Sequence, residues 1–182
     1  KDHFYFYQSV WTDKPMVHLL PHWSHPGLEG KTIPVVAYAN AEEVELFQDG
    51  QSLGRKPRSE LFECVWQVPY RPGELKAVQF RAVNAVVETF QRTAGAASKL
   101  QLTTDNARLK ADRHDLALVT MAVCDNRGTL VPDAENRIGL RLLGPAQFLG
   151  CENGDPVDLT PHGQPWRKVF AGFETPTLVG PP

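Results

Sequence analysis

Residues 44–54, VELFQDGQSLG, constrain this chain more than any other stretch. Val44, Leu46 and Gln48 fall on one side of an extended chain, and Glu45 and Phe47 fall on the other. That period of two is the mark of a half-buried strand. Asp49-Gly50 follows at once, and Gln51–Leu53 runs back. Asp-Gly accepts the positive φ angles of a type I′ turn, whose twist matches paired antiparallel strands. The segment therefore predicts a β-hairpin, and its neighbours repeat the theme. Thr32–Tyr38, Glu63–Val68, Leu75–Arg81 and Val86–Arg92 are short, rich in β-branched or aromatic residues, and separated by turn signals such as Pro72-Gly73. Six or seven short strands with turns every 8–12 residues describe a β-sandwich.

The small, polar run TAGAASK at 93–99 marks a boundary. A second β pattern follows at Lys99–Thr104, Leu116–Cys124, Ile138–Leu143 and Gln147–Cys151. Leu116–Cys124 is apolar at both alternating sets of positions, which suits a strand buried on both faces. The tail FETPTLVGPP shows no strong alternation, so this second sandwich is expected to be truncated at its C-terminal end or to close with an irregular strand. At the other end, Phe4, Tyr7 and Trp11 recur at helical spacing, with Asp2 as a cap and Pro15 as a stop. A helix this short is marginal in water without a partner. It reads as the last helix of a domain lying upstream. The expected organisation is all-β: a remnant helix at 1–13, one immunoglobulin-like sandwich at 14–94 and a second at 98–182.

Composition sets the outer limits. A net charge of −2 over 182 residues gives no electrostatic footprint for nucleic acid. No run of 18 apolar residues is present to span a membrane. The N-terminus lacks an initiating Met and the layout of a signal peptide, which points to a chain that begins inside a longer protein. Three scattered cysteines, Cys64, Cys124 and Cys151, fit neither a disulfide framework nor a paired zinc motif, and read as small buried residues.

Several residues invite a chemical reading. His18, His22 and His25 crowd one segment, and His18 and His22 have the i, i+4 spacing of helical zinc ligands. Pro21 between them breaks such a helix. On a strand they would sit roughly 13 Å apart, too far to share an ion. No metal site is expected. Glu42, Glu43, Glu45, Glu60, Glu63 and Glu74 lie in no motif that pairs carboxylates across a glycosidic bond. No G-x-S-x-G motif is present. Asp112, Asp115, Asp125 and Asp133 flank Leu116–Cys124 and read as turn formers, as does the run ENGDP at 152–156. Of the tryptophans, Trp66 is mid-strand and expected in the core, whereas Trp23 and Trp166 lie near loops and are candidates for stacking on a sugar.

With these residues laid out, the chain resembles the C-terminal part of glycoside hydrolase family 2 enzymes of the β-galactosidase type. KDHFYFYQSVWTDKPMVHLLPHW looks like the end of the catalytic barrel. VVAYANAEEVELFQDGQSLG through WQVPYRPGELKAVQF is similar to the immunoglobulin-like domain that follows it. Residues 102–156 look like the further sandwich beyond. The resemblance implies that the catalytic glutamates lie upstream of Lys1, so no residue here is expected to be catalytic and no cofactor is implied. It implies VHLLPHW as the first strand after the barrel, with Val17, Leu19 and Trp23 packing. It also implies partners: the catalytic barrel of the same polypeptide, carbohydrate through the parent enzyme, and a homo-oligomer built through the sandwiches. Family members are often periplasmic or secreted. The rival expectations are an independent carbohydrate-binding or adhesion module and, behind it, a metal-dependent enzyme using the histidines.

Overall fold

A computed structural model describes residues 2–181. They fall into two compact units that meet in sequence at Thr93 and Ala94.

The first unit opens with α1 (Asp2–Trp11), followed by β1 (Val17–Leu20), β2 (Thr32–Ala39), β3 (Glu43–Gln48), β4 (Gln51–Pro57), β5 (Glu63–Pro69), β6 (Glu74–Arg81) and β7 (Asn84–Arg92). The strands form a three-stranded sheet, β1-β2-β5, and a four-stranded sheet, β4-β3-β6-β7, with every pairing antiparallel. The alternation in the sequence becomes alternation in burial. Val44, Leu46 and Gln48 of β3 turn inward while Glu43, Glu45 and Phe47 are half-buried. Val35 and Ala37 from one sheet meet Val44, Leu46, Leu75 and Ala77 from the other, and Trp66 joins the same cluster. The hairpin turn is the type expected, with Asp49 at φ 49° and Gly50 at φ 81°. Asp49 does more than turn: its carboxylate accepts the Glu74 N–H at 2.8 Å, fastening the turn to β6.

The second unit contains β8 (Lys99–Thr104), β9 (Leu116–Cys124), β10 (Arg137–Gly139), β11 (Gln147–Glu152), β12 (Trp166–Lys168) and β13 (Phe173–Val179). A four-stranded sheet, β11-β13-β9-β8, is accompanied by a two-stranded one, β10-β12. Three expectations need correction here. The tail forms β13, an interior strand between β9 and β11, not an irregular end. Its period is disguised by Pro176, which has no N–H for a ladder. Pairing with β9 skips Thr175 and Pro176 and resumes at Thr177 in the same register. The turn into β13 is also disguised. Ala171 (φ 51°) and Gly172 (φ 80°) make a two-residue turn between Phe170 and Phe173, with alanine where Asn or Asp would announce it. Second, the strand expected at Ile138–Leu143 stops at Gly139. Third, β9 is covered along one face and only at its far end on the other: Ala117, Met121 and Val123 are buried, Leu116 and Leu118 are exposed, and Cys124 is buried.

Candidate functional site

The histidines do not converge. β1 ends at Leu20, so His18 and His22 share no strand. His18 Nε2 lies 3.0 Å from Asp2 Oδ1, and its ring stacks on Tyr5 at 3.7 Å, so it fastens α1 to the first sandwich. His22 and His25 stack on each other with ring centroids 4.6 Å apart, and His22 Nδ1 accepts the Ser24 N–H. Among the described residues, no group of three or more His, Cys, Asp or Glu is arranged to hold a metal ion.

Trp23 is fully buried, its indole N–H donating to the Arg71 carbonyl at 3.1 Å and its ring edge-on to Tyr70. A ring with no solvent-facing surface has nothing to offer a sugar, so the expectation for Trp23 is corrected: it is core. Trp166 has a different setting. β12 is three residues long, so its side chains alternate: Arg167 points inward, and Trp166 and Lys168 point outward. The register places Gly139 opposite Trp166 and Arg137 opposite Lys168. Gly139 leaves space beside the indole, and the Arg137 guanidinium lies 3.5 Å from the ring centroid.

This outward face is the floor of a cleft of about 880 Å³. Residues 153–160 form one wall. The run ENGDP is the turn it was read as, and the bonds extend past it. Asn153 Oδ1 accepts the Asp155 N–H, Asp155 accepts the Val157 N–H, and Asp158 accepts the Thr160 N–H. The Asn153 amide reaches both Asp158 and the Lys168 carbonyl at 2.9 Å. Beneath the wall, Arg167 is 1% exposed and donates to Asp158 at 2.9 Å and to the Thr160 carbonyl. Asp133 and Glu135 also line the cleft, with Glu135 paired to Lys168 at 3.1 Å. Trp166 and the turn are legible in the sequence, whereas the cleft is not. Its parts are separated in the chain, and the only local signal is the spacing of Asn153, Asp155 and Asp158.

Carboxylates do gather here, so hydrolytic chemistry has to be considered. A general acid for glycoside cleavage needs a raised pKa. Asp158 goes the other way: hydrogen bonds from Thr160, with help from the Arg167 charge and Asn153, hold it below the usual carboxylate value. Glu135 forms an exposed ion pair with Lys168 at 3.1 Å. The cysteines are equally quiet. All three are buried thiols, and burial lifts Cys64 to about 11.

A second exposed feature lies on α1. Phe6 packs edge-on against Tyr38, and Ser9 is buried. Phe4 (66%), Tyr7 (49%) and Trp11 (78%) remain exposed on the opposite side. The apolar face read from the sequence is thus present and uncovered in this chain.

Consecutive antiparallel sandwiches, with a short aromatic helix ahead of them, define a class of β-sandwich region found within larger enzymes. Residues 100–176 match the glycoside hydrolase family 2 C-terminal domain 5, and residues 30–87 match a domain family of unknown function (DUF4982). A β-glycosidase from Bacteroides vulgatus is similar in structure, with a TM-score of 0.93 and 40% identity over 98% of this chain and 23% of that one. A β-galactosidase of Bacteroides ovatus is 38% identical over 174 residues, which is 94% of this chain and 20% of the relative. A β-glucuronidase of Formosa agariphila is 29% identical over 167 residues, 88% of this chain and 16% of the relative. The chain spans about a fifth of the length of the curated relatives it matches. It belongs to the C-terminal region of the glycoside hydrolase family 2 enzymes.

Proposed function

We propose that the chain is a non-catalytic accessory region of a longer glycoside hydrolase of the β-galactosidase type, acting on terminal β-galactosides or related sugars. Its role is to stabilise the catalytic barrel, with subunit association or shaping of the sugar site as further tasks of the same surfaces. One observation carries this reading. α1 is fastened to the first sandwich by His18 and Tyr38, yet presents Phe4, Tyr7 and Trp11 to solvent. An isolated module gains nothing from that face, whereas a domain packed against it buries three aromatic rings, each contributing about 1.5–3 kcal/mol. The relatives are roughly five times longer, which leaves ample chain for such a neighbour.

The reading is tested by comparing this chain with the polypeptide extended upstream. The extended protein should hydrolyse a chromogenic β-galactoside, and the 182-residue chain should not. Replacing Phe4, Tyr7 and Trp11 together by Ser should lower the melting temperature of the extended protein and leave that of the short chain almost unchanged. Turnover by the short chain, abolished by a point mutation within it, would overturn the proposal.

A further inference from the structure

We propose that the cleft over β10 and β12 is a binding site for a neutral oligosaccharide, with Trp166 as its stacking platform. The inference concerns this chain alone, and stands whether or not the longer polypeptide cleaves galactosides. Its volume, about 880 Å³, falls within the roughly 300–1,000 Å³ of small-molecule sites. Three features make it more than a dent. The floor carries a half-buried indole that lines the cleft beside the open space at Gly139, with the Arg137 guanidinium over its ring. The wall is fixed in advance by the Asn153, Asp155 and Asp158 bonds and by a guanidinium 1% exposed beneath it, so little ordering is left for a ligand to drive. The rim exposes Val157 (78%) and Leu159 (93%) together with Phe170, apolar side chains that the C–H face of a sugar would cover.

Charge selects the ligand. Of the two cations on the floor, Lys168 pairs with Glu135, while Arg137 lies over the Trp166 ring and keeps its charge. Asp158 is balanced by Arg167. Asp133 and Asp155 remain on the lining, so the site is net negative. The carboxylates of Asp133 and Asp155 suit hydroxyl groups, whereas a uronate would meet an excess of like charge that Arg137 alone does not offset. A neutral glycan is therefore favoured over an acidic one, although relatives include a β-glucuronidase.

The test is a titration of the 182-residue chain with neutral β-linked galacto-oligosaccharides and with oligoglucuronates of the same length, followed by the indole N–H signals in NMR and by calorimetry. Four tryptophans give four signals, and Trp166→Phe assigns the one of interest. The neutral oligomers should shift the Trp166 signal. The acidic ones should bind about tenfold more weakly, and Trp166→Ala should lower affinity by about tenfold or more. If Trp166→Ala does not fold, the wild-type titration still decides. A Trp166 signal that stays still with every neutral oligomer, or equal binding of the acidic series, overturns the proposal. So does protection of residues 153–160 from hydrogen exchange by the rest of the longer polypeptide, which would make the cleft a seat for protein.

Discussion

The two sandwiches are built from the same kind of strand and filled with different material. In the first, fifteen buried side chains from Val17 to Ala77 form one cluster, and none carries a charge. In the second, the apolar cluster is Val123, Val131, Ala134 and Val169, while Asp125, Arg167 and Glu174 are each 1% exposed. The second layer is also narrower. Leu100 and Leu102 pair in register with buried Val123 and Met121 yet stay exposed, because two strands do not cover a sheet of four. The first sandwich draws its stability from apolar burial, which is indifferent to pH. The second depends on whether each buried charge finds partners.

Its two buried carboxylates show both outcomes. Asp125 accepts the N–H groups of Gly95, Arg127 and Thr129. These bonds, that from Gly95 foremost, pull its pKa down to about 2 against the opposing effect of desolvation. Apart from the weakly donating Cys151 thiol, neither carboxyl oxygen of Glu174 meets a hydrogen-bond donor among the described residues. Desolvation raises its pKa, and the Cys151 thiol and the Arg167 charge only partly offset this.

The largest effect that can sharpen the contrast is expected in the first core. Trp66→Ala should cost about 3–5 kcal/mol in urea melts. A loss below about 1 kcal/mol would mean that the ring is not the filler its burial implies. Next comes Asp125→Asn. A depressed pKa stabilises the fold fully above the unfolded value, near 4, and that contribution fades as pH falls through about 2. The variant should therefore be less stable at pH 7 and match the wild type at pH 2; a gap that persists at pH 2 would point to shape and not charge. Glu174→Gln should behave in the opposite sense. A raised pKa gives stability below the unfolded value that is lost as pH rises through the folded one. The variant should equal the wild type near pH 4 and exceed it at pH 8 by about 1 kcal/mol. Parallel melting curves at both pH values would refute the account of Glu174. The smallest effect belongs to Ala171→Asn, which should stabilise the β12–β13 turn by about 1 kcal/mol or less, because asparagine tolerates the left-handed conformation better than alanine. Thermal scans showing no gain would indicate that the turn is unstrained.

The sequence disclosed the first sandwich more fully than the second, and the same difference explains why. Where the interior is apolar, the period of two is visible, as in VELFQDG. Where the interior contains Glu174 and Pro176, an inward position no longer looks inward, and β13 is hidden. Leu116 and Leu118 mislead in the opposite direction, being leucines that face outward. The helix was legible because Phe4, Tyr7 and Trp11 keep strict spacing. The cleft was not, since its floor and walls come from three separate segments of the chain. Trp23 and Trp166 looked alike in sequence. What separates them is that Trp23 is buried against Tyr70, while Trp166 alternates outward beside a buried arginine.

That alternation gives β12 an unplanned use. A slip of one residue would drive the guanidinium into solvent and the indole inward. Since Trp166 is the sole tryptophan beyond residue 93, its fluorescence would change at once. The second sandwich thus carries its own gauge of correct assembly, readable in any cuvette without labels.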